Sequence, residues 1–141
     1  MTIKTRDFGS MELDESAVVE FRSPIFGFDH LQKYVLLSDD EMGPGLIWLQ
    51  SLDDPGVCFI LLDPEEIGLE YTPEIGGDVA QMLEIEEAPV VRVIAVVPQD
   101  FKKTTVNLKS PIIINQGKKW AAQVILDADY PIKLPLFDGG A

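Results

Sequence analysis

The chain has 141 residues, of which 46% are hydrophobic, and its 24 acidic residues against 11 lysines and arginines give a formal charge of −13. A chain of this length buries about 68 to 70% of its unfolded surface, so a hydrophobic core can stabilise it without metal ions or disulfides. The single cysteine excludes an internal disulfide. No apolar run is long enough to span a bilayer, and so negative a charge disfavours direct binding to nucleic acid. The N-terminus lacks the apolar core of a signal peptide, which predicts a cytoplasmic protein.

The first predicted element is a β-hairpin formed by residues 46–51 and 57–62. Both segments are short apolar runs, and between them Pro55 and Gly56 occupy the second and third positions of a turn. We expect a type II turn, because proline fits its second position and glycine tolerates the positive φ of its third.

A short helix is predicted over residues 78–83. Asp78 is expected to cap its first amides, and Gln81, three residues later, completes a capping-box pattern. Val79, Met82 and Leu83 would then share the buried stripe.

Residues 90–97 predict a central strand. All of them are apolar except Arg92, which is typical of a strand covered on both faces. Pro98 should end this strand, because proline cannot donate a hydrogen bond to a neighbouring strand.

A second hairpin is predicted from residues 110–115 and 119–126, with Gly117 taking a positive φ in the connection. Upstream, the side chains of Val106, Leu108, Ile112 and Ile114 should face one side of the sheet if the strand has no bulge between them.

These elements together predict a mainly β fold. It should be a small antiparallel β-barrel-like or sandwich domain with one or two short helices, because so little helix cannot connect several parallel strands. We expect residues 1–137 to form a single domain and residues 138–141 to form a disordered tail.

The residues needed for catalysis or metal binding are scarce. His30 is the single histidine and is expected at the surface, whereas Cys58 lies within an apolar strand and should be a buried, unreactive thiol. Motifs for phosphate or dinucleotide binding are absent from the sequence. Solvated turns explain the remaining acidic groups, Asp39-Asp40-Glu41 and Asp127 with Asp129, better than a calcium site does. We therefore expect a non-enzymatic protein without cofactor or metal.

The charge is polarised along the sequence. Residues 34–91 contain 14 acidic residues and no lysine or arginine, whereas residues 92–137 contain seven basic and three acidic residues. Such acids either keep the protein soluble or attract a basic partner, and charge alone leaves both interpretations open. If the turns gather at one end of a barrel, their acids would form one continuous negative surface; these acids are Asp53, Asp54, Asp63, Glu65 and Glu66.

The most specific signal is an ordered set of blocks covering nearly the whole chain. Residues 105–115, 123–126 and 129–137, preceded by Gln50-Ser51, residues 62–64 and a divergent segment at 21–28, closely resemble the FliW family of flagellar assembly factors. The family often has glycine where this chain has Pro24 and proline where it has Phe26. The loop before His30 is therefore expected to differ in shape.

The resemblance implies a cytoplasmic, non-enzymatic protein of compact β-barrel-like fold with two protein partners. One is flagellin before its export, and the other is CsrA, a small basic RNA-binding repressor of translation. In the family, FliW that is released when flagellin is exported binds CsrA and relieves repression of flagellin translation, without occupying the RNA site. We expect a monomer that uses the five turn acids as the polar rim of its interface.

The sequence leaves alternatives open for the role of three residues in the family-like block and for the function of the chain. Asn107, Pro111 and Asn115 lie in the most family-like block, where a folding role is favoured over partner contact. The chain could instead be a chaperone for flagellin only. A third possibility is a small-molecule or carbohydrate-binding barrel, which would need a pocket lined by Trp48 or Trp120 with two facing carboxyl groups.

Overall fold

Seven strands close into a ring that forms the body of the protein. The computed structural model of the chain describes residues 1–38 and 46–136. Its strands are β1 (Thr2–Lys4), β2 (Ser10–Glu12), β3 (Val18–Ser23), β4 (Lys33–Ser38), β5 (Leu46–Ser51), β6 (Cys58–Leu62), β7 (Val90–Val96), β8 (Thr105–Asn115), β9 (Trp120–Gln123) and β10 (Leu134–Pro135). A single α-helix in the described residues, α1, spans Gly77–Met82, and Glu15–Ala17 and Phe101–Lys103 form short 3-10 turns.

The ring runs in the order β8-β7-β6-β5-β4-β3-β9, and β9 pairs with β8 to close it. Neighbouring strands are antiparallel except β3 and β9, which are parallel. An odd number of strands requires one such pair, because alternating directions cannot close evenly around the ring. Strand β10 pairs with β8 outside the ring, and β1 pairs with β2 in a separate sheet. The predicted mainly β barrel is thus confirmed, and closure removes most of the exposed sheet edge.

The interior of the ring is filled by apolar side chains from every ring strand, most of them large. Aromatic rings pack at its centre, with centroids 4.9 Å apart for Phe21 and Tyr34 and 5.0 Å apart for Phe28 and Phe59. Such contacts add to the free energy gained from burial. The fully or nearly buried members are Val19, Phe21, Ile25, Leu31, Tyr34, Leu49, Leu61, Ile112, Ile114 and Ala121.

Three smaller clusters cover the outside of the sheet. The N-terminal β1–β2 hairpin contributes Ile3 to the cluster that contains Trp48. Residues near 67–71 and 130–136 pack against Val93 and Val106, and the end of α1 packs against Ile113. Strands β5, β7 and β8 are therefore buried on both faces over much of their length.

The first hairpin forms as predicted from β5 and β6, but its turn is not type II. The Val57 amide donates to the Asp54 carbonyl at 3.0 Å, while the φ of Gly56 lies outside the left-handed region. The Asp54 carboxylate accepts a hydrogen bond from the Gly56 amide at 3.0 Å. Aspartate at the first position favours a type I turn, which proline at the second position also allows.

The second hairpin also forms, from β8 and β9, but Gly117 does not supply the positive φ. Lys119 does so instead, with φ of 59°. The carboxamide oxygen of Asn115 accepts hydrogen bonds from the Gly117 and Lys118 amides. These bonds shape the first part of the turn, and the left-handed residue comes two positions after Gly117.

Helix α1 has the predicted buried stripe but not the predicted cap. Its N-cap is Gly76, which makes no side-chain cap bond, and Asp78 lies inside the first turn. A carboxylate is favourable there because it faces the positive end of the helix dipole. Leu83 is fully buried, and Val79 and Met82 pack against its cluster.

Strand β7 is central, between β6 and β8, as predicted. It is not covered on both faces along its whole length, because Val96 at its end is 61% exposed.

A bulge in β8 separates the side chains that were predicted to share one face of the sheet. Arg92 and Ile94 of β7 pair with Ile112 and Asn107 of β8, so the ladder is interrupted between them. As a result Val106 and Leu108 pack outside the ring, whereas Ile112 and Ile114 fill its interior.

Candidate functional site: an acidic surface at one end of the barrel

The five turn acids singled out from the sequence do not come together. Asp53 and Asp54 precede β6, whereas Asp63, Glu65 and Glu66 follow it. Four residue steps along β6 span about 13 Å, at about 3.3 Å per step. The expected single surface is therefore divided between the two ends of the barrel.

The carboxylates of Asp53 and Asp54 accept hydrogen bonds from main-chain amides of the protein. One carboxylate oxygen of Asp53 accepts hydrogen bonds from the Gln32 amide at 2.9 Å and the Lys33 amide at 3.1 Å. The first of these bonds, more than any other interaction, lowers the pKa of Asp53. Asp53 thus joins the loop before β4 to the first hairpin.

At the other end, Asp63 organises the segment that follows β6. Its carboxylate accepts a hydrogen bond from the Glu65 amide at 3.0 Å and lies 3.6 Å from the Arg92 guanidinium. Glu65 and Glu66 are exposed beyond it. This turn therefore presents two carboxylates to solvent on a fixed backbone.

Three more acids, which the sequence analysis did not single out, lie at the same end. Glu84, Glu86 and Glu87 line a depression of about 420 Å³ that also includes Pro89 and Val90. An adjacent depression of about 310 Å³ shares Pro89 and Val90 and is lined by two of the acids that follow β6. We call the following set the acidic end surface: Asp63, Glu65, Glu66, Glu84, Glu86 and Glu87. The density of acids between residues 34 and 91 was the signal in the sequence for this surface.

The acidic end surface keeps a negative excess after its ion pairs are counted. Glu84 lies 3.1 Å from the Lys118 ammonium, and Arg92 pairs with Asp63 as above. Within residues 1–38 and 46–136, the other four acids of the surface have no ion-pair partner. A group of unpaired carboxylates around two shallow depressions attracts a positively charged macromolecule.

Asn115, from the family-like block, holds part of this surface in place. Its side-chain amide donates to the Leu83 carbonyl at 2.7 Å and to the Glu84 carbonyl at 3.2 Å. It thereby connects the turn of the second hairpin to the segment that carries Glu84, Glu86 and Glu87. Asn115 therefore positions the residues of the acidic end surface that follow α1.

Asn107 and Pro111 lie at the bulge of β8. The Asn107 side chain accepts a hydrogen bond from the Ser110 amide at 3.0 Å, and the Pro111 carbonyl accepts one from the Val124 amide at 3.1 Å. Pro111 is buried. Both residues shape the strand, far along β8 from the turn at Asn115.

The loop that carries Phe26 and Gly27 is anchored by the neighbouring strand. The Phe26 amide donates to the side-chain oxygen of Gln123 at 2.8 Å, and Gly27 has φ of 85°. The Phe26 side chain remains 55% exposed. The loop therefore presents an exposed aromatic ring.

The candidate catalytic and metal-binding residues are placed as follows. His30 is exposed. Cys58 is 7% exposed, and burial raises the pKa of its thiol to about 11, so little thiolate exists at neutral pH. In the part of the chain that the structure describes, no three potential ligands lie close enough to hold a metal ion. Asp127 and Asp129 are exposed, and Asp39-Asp40-Glu41 lies outside the described residues.

The two tryptophans do not form a sugar-binding pocket. Trp48 is 8% exposed and packs edge-on against Phe8. The Trp120 ring lies beneath two cations, 4.5 Å from the Arg22 guanidinium carbon and 5.2 Å from the Lys118 ammonium. Neither ring lines the two depressions of the acidic end surface.

Comparison with known proteins identifies similar chains over almost the whole length. Residues 2–136 match the family model described as FliW protein. The chain is 38% identical to the flagellar assembly factor FliW of Caldicellulosiruptor bescii over 96% of its own length and 90% of the relative's. For the FliW of Syntrophus aciditrophicus, the identity is 39% over 94% and 85% of the two chains. A crystal structure of the flagellar assembly factor FliW superimposes with a TM-score of 0.89 at 33% identity, over 97% of each chain. Across residues 1–38 and 46–136, no helix is long and apolar enough to cross a membrane.

Proposed function

The chain belongs to the FliW family, and from that premise we propose that it is a cytoplasmic flagellar assembly factor that binds flagellin. When free of flagellin, it binds and antagonises the translational regulator CsrA, which relieves repression of flagellin translation. It acts as a monomer, by binding and without turnover. The names of its relatives support the assembly role, and the partners are inferred from the family resemblance.

The acidic end surface is the observation that best supports CsrA as a partner. CsrA is a basic protein whose own ligand is RNA, so a field of unpaired carboxylates raises the rate of its encounter with this chain. A negative body bound beside the RNA site also repels RNA phosphates. Inhibition then requires no overlap between the two binding sites.

The two groups of turn acids take different parts in this proposal. Asp63, Glu65 and Glu66 form part of the polar rim of the interface, together with the three glutamates near Pro89. Asp53 and Asp54 lie at the opposite end, where they add to the overall negative field. The apolar contacts that complete an interface come from other residues.

Calorimetry of CsrA binding across a salt series tests the electrostatic part. We expect affinity to fall as salt rises, and the double variant Glu86→Lys with Glu87→Lys to bind at least about tenfold more weakly. The matched control is Asp29→Lys with Asp129→Lys, which makes the same change in net charge at two exposed residues outside the surface. Equal losses in both double variants, or affinity that ignores salt, would refute a local role for the acidic end surface.

Binding of CsrA separates the proposal from the flagellin-only alternative. A chain that binds purified flagellin but not CsrA at low ionic strength is a chaperone for flagellin alone. If it binds both, adding flagellin to a preformed complex with CsrA tests the exchange of partners. Failure to bind either protein would overturn the proposed function.

A further inference from the structure

A groove of about 790 Å³ runs along the outside of the barrel, away from the ion pairs of the acidic end surface. One wall is formed by α1 and the residues before it, and the other by residues 123–128 with the loop at Phe26. This volume is well within the range of binding sites for ligands or peptide segments. The proposed function does not assign it a role.

The groove contains exposed apolar surface. Phe26 is 55% exposed and Ile125 is 59% exposed, and both line it. Val79, Met82 and Val124 are half-buried in the same groove. Contiguous apolar surface of this kind marks a site of interaction more often than isolated exposed side chains do.

The charged residues that line the groove all have one sign. They are Glu74, Asp78 and Asp127, and none of the lining residues that the structure describes is a lysine, arginine or histidine. The Lys109 ammonium reaches one edge of the groove, where it donates to the Ala128 carbonyl at 2.9 Å. A negative rim repels nucleic acid, anionic lipid headgroups and the equally negative groove of a second copy of this chain. The occupant that satisfies both the apolar walls and the rim is a positively charged segment with apolar side chains.

We propose that this groove binds a segment of a protein partner in which large apolar side chains are flanked by lysine or arginine. The apolar side chains contact Phe26 and Ile125 on one wall and Val79 and Met82 on the other. The lysines or arginines pair with Glu74, Asp78 and Asp127. The inference rests on the proposed function, because it requires that the chain acts by binding proteins. It adds the chemistry of the partner segment that this groove binds.

The test is a titration of the full-length, isotope-labelled chain with three synthetic peptides, in which binding is detected as changes in the amide chemical shifts measured by NMR. One peptide alternates leucine with lysine, the second replaces lysine with glutamate, and the third replaces leucine with serine. We expect the first peptide to shift the amide signals of residues 74–82 and 123–128, and the other two to leave them almost unchanged. Shifts located elsewhere, or equal binding of all three peptides, would overturn the inference.

Two substitutions give a second measurement on a folded protein. Phe26→Ser and Ile125→Ser each change a side chain that is more than half exposed, so the fold should tolerate them. Each should weaken binding of the leucine-lysine peptide about tenfold. The matched control is Ile132→Ser, which removes the same side chain as Ile125→Ser at a residue that is 61% exposed and does not line the groove. An unchanged affinity in both groove variants, or an equal loss in the control, would overturn the inference.

Comparing the peptide titration with the binding of flagellin and CsrA distinguishes this inference from the proposed function. If flagellin and CsrA bind the unmodified chain but the leucine-lysine peptide does not shift the groove signals, the groove inference fails and the proposed function stands. If neither protein binds while the peptide does, the reverse holds.

Discussion

The side-chain amide of Asn115 donates to the main-chain carbonyl of Leu83 across 2.7 Å, and so joins the turn of the second hairpin to the end of α1. The helix ends there in a Schellman motif, in which the Ile85 amide bonds to the Ala80 carbonyl and the Glu84 amide to the Gln81 carbonyl. Glu84 takes the left-handed position of this motif, with φ of 50°. Asn115 therefore satisfies a carbonyl that the end of the helix leaves unpaired.

Replacing Asn115 tests this link. Asn115→Ala should lower the free energy of unfolding by about 1 to 3 kcal/mol, because it removes both the donor to Leu83 and the acceptor for the Gly117 amide. Asn115→Asp keeps the acceptor but places a carboxylate against two carbonyls, so it should also destabilise. Urea denaturation measures both variants. If Asn115→Asp is as stable as the unmodified chain, the donated bond contributes little.

Lys119 has a left-handed backbone, which a residue with a Cβ adopts at a cost of roughly 1 kcal/mol. Lys119→Gly should therefore raise the melting temperature. Lys119→Ala serves as the control, since it removes the same charge and keeps the Cβ. Equal melting temperatures for the two variants would indicate that this backbone conformation is not strained.

Gln123 connects β9 to β8 and to the Phe26 loop. Its side chain donates to the Ser110 carbonyl at 3.2 Å and accepts from the Phe26 amide at 2.8 Å, and it is 6% exposed. Gln123→Leu should lower the free energy of unfolding by about 1 to 3 kcal/mol, because two polar groups lose their partner. Gln123→Glu should recover part of this loss only at acidic pH, where the protonated carboxyl donates to Ser110. Chemical denaturation at neutral and at acidic pH measures the free energy of unfolding of both variants. A difference between Gln123→Leu and Gln123→Glu that does not depend on pH would contradict this prediction.

Tyr34 is fully buried in the barrel, and its hydroxyl has no hydrogen-bond partner among the described residues. Burial raises the pKa of this phenol to about 12, so the hydroxyl stays neutral at physiological pH. Tyr34→Phe should leave the free energy of unfolding unchanged or raise it by up to about 1 kcal/mol, because removing an unpaired buried polar group carries no loss. A large destabilisation, measured by urea denaturation, would mean that the hydroxyl has a partner such as a bound water.

The lowered pKa of Asp53 predicts a dependence of stability on pH. A group whose pKa is lower in the folded state stabilises the fold above its unfolded pKa, and that contribution is lost as pH falls through the folded value. We therefore expect the melting temperature of Asp53→Ala to lie below that of the unmodified chain at neutral pH. The gap should narrow as pH falls below the ordinary aspartate value of 3.8. Asp53→Asn keeps an acceptor for the same two amides, so its melting temperature should lie between those of the unmodified chain and Asp53→Ala. A difference in melting temperature between the unmodified chain and Asp53→Ala that stays constant with pH would contradict this account.

Local patterns in the sequence were enough to locate several strands and both hairpins. The apolar runs of β5 and β6 are punctuated by proline and glycine, and β7 is apolar on both faces. Strand β3 is absent from the predicted elements, although Val19 and Phe21 point inward while Arg22 remains exposed, which is the period-two alternation of a strand with one buried face. Family resemblance then supplied the functional hypothesis, which periodicity could not have supplied.

Sequence reasoning missed two kinds of detail: the local geometry of turns and of the helix cap, and the proximity of groups distant in the chain. Gly56 and Gly117 do not adopt the left-handed conformation, because Asp54 and Asn115 bind the local amides. The N-cap of α1 is Gly76 rather than Asp78. The acidic end surface combines residues 63–66 with residues 84–87, which become neighbours through the pairing of β6 with β7. The sequence contained their charge, but not their proximity.

For this protein, the order of apolar and turn-forming residues determined a mainly β chain with two hairpins and an acidic central region, because those preferences act between residues close in sequence. Tertiary structure alone decided the closure of the ring through a parallel β3–β9 pair, the bulge of β8 and the proximity of residues 63–66 to residues 84–87. These features arise where strands far apart in the chain must satisfy one another's hydrogen bonds and share one core.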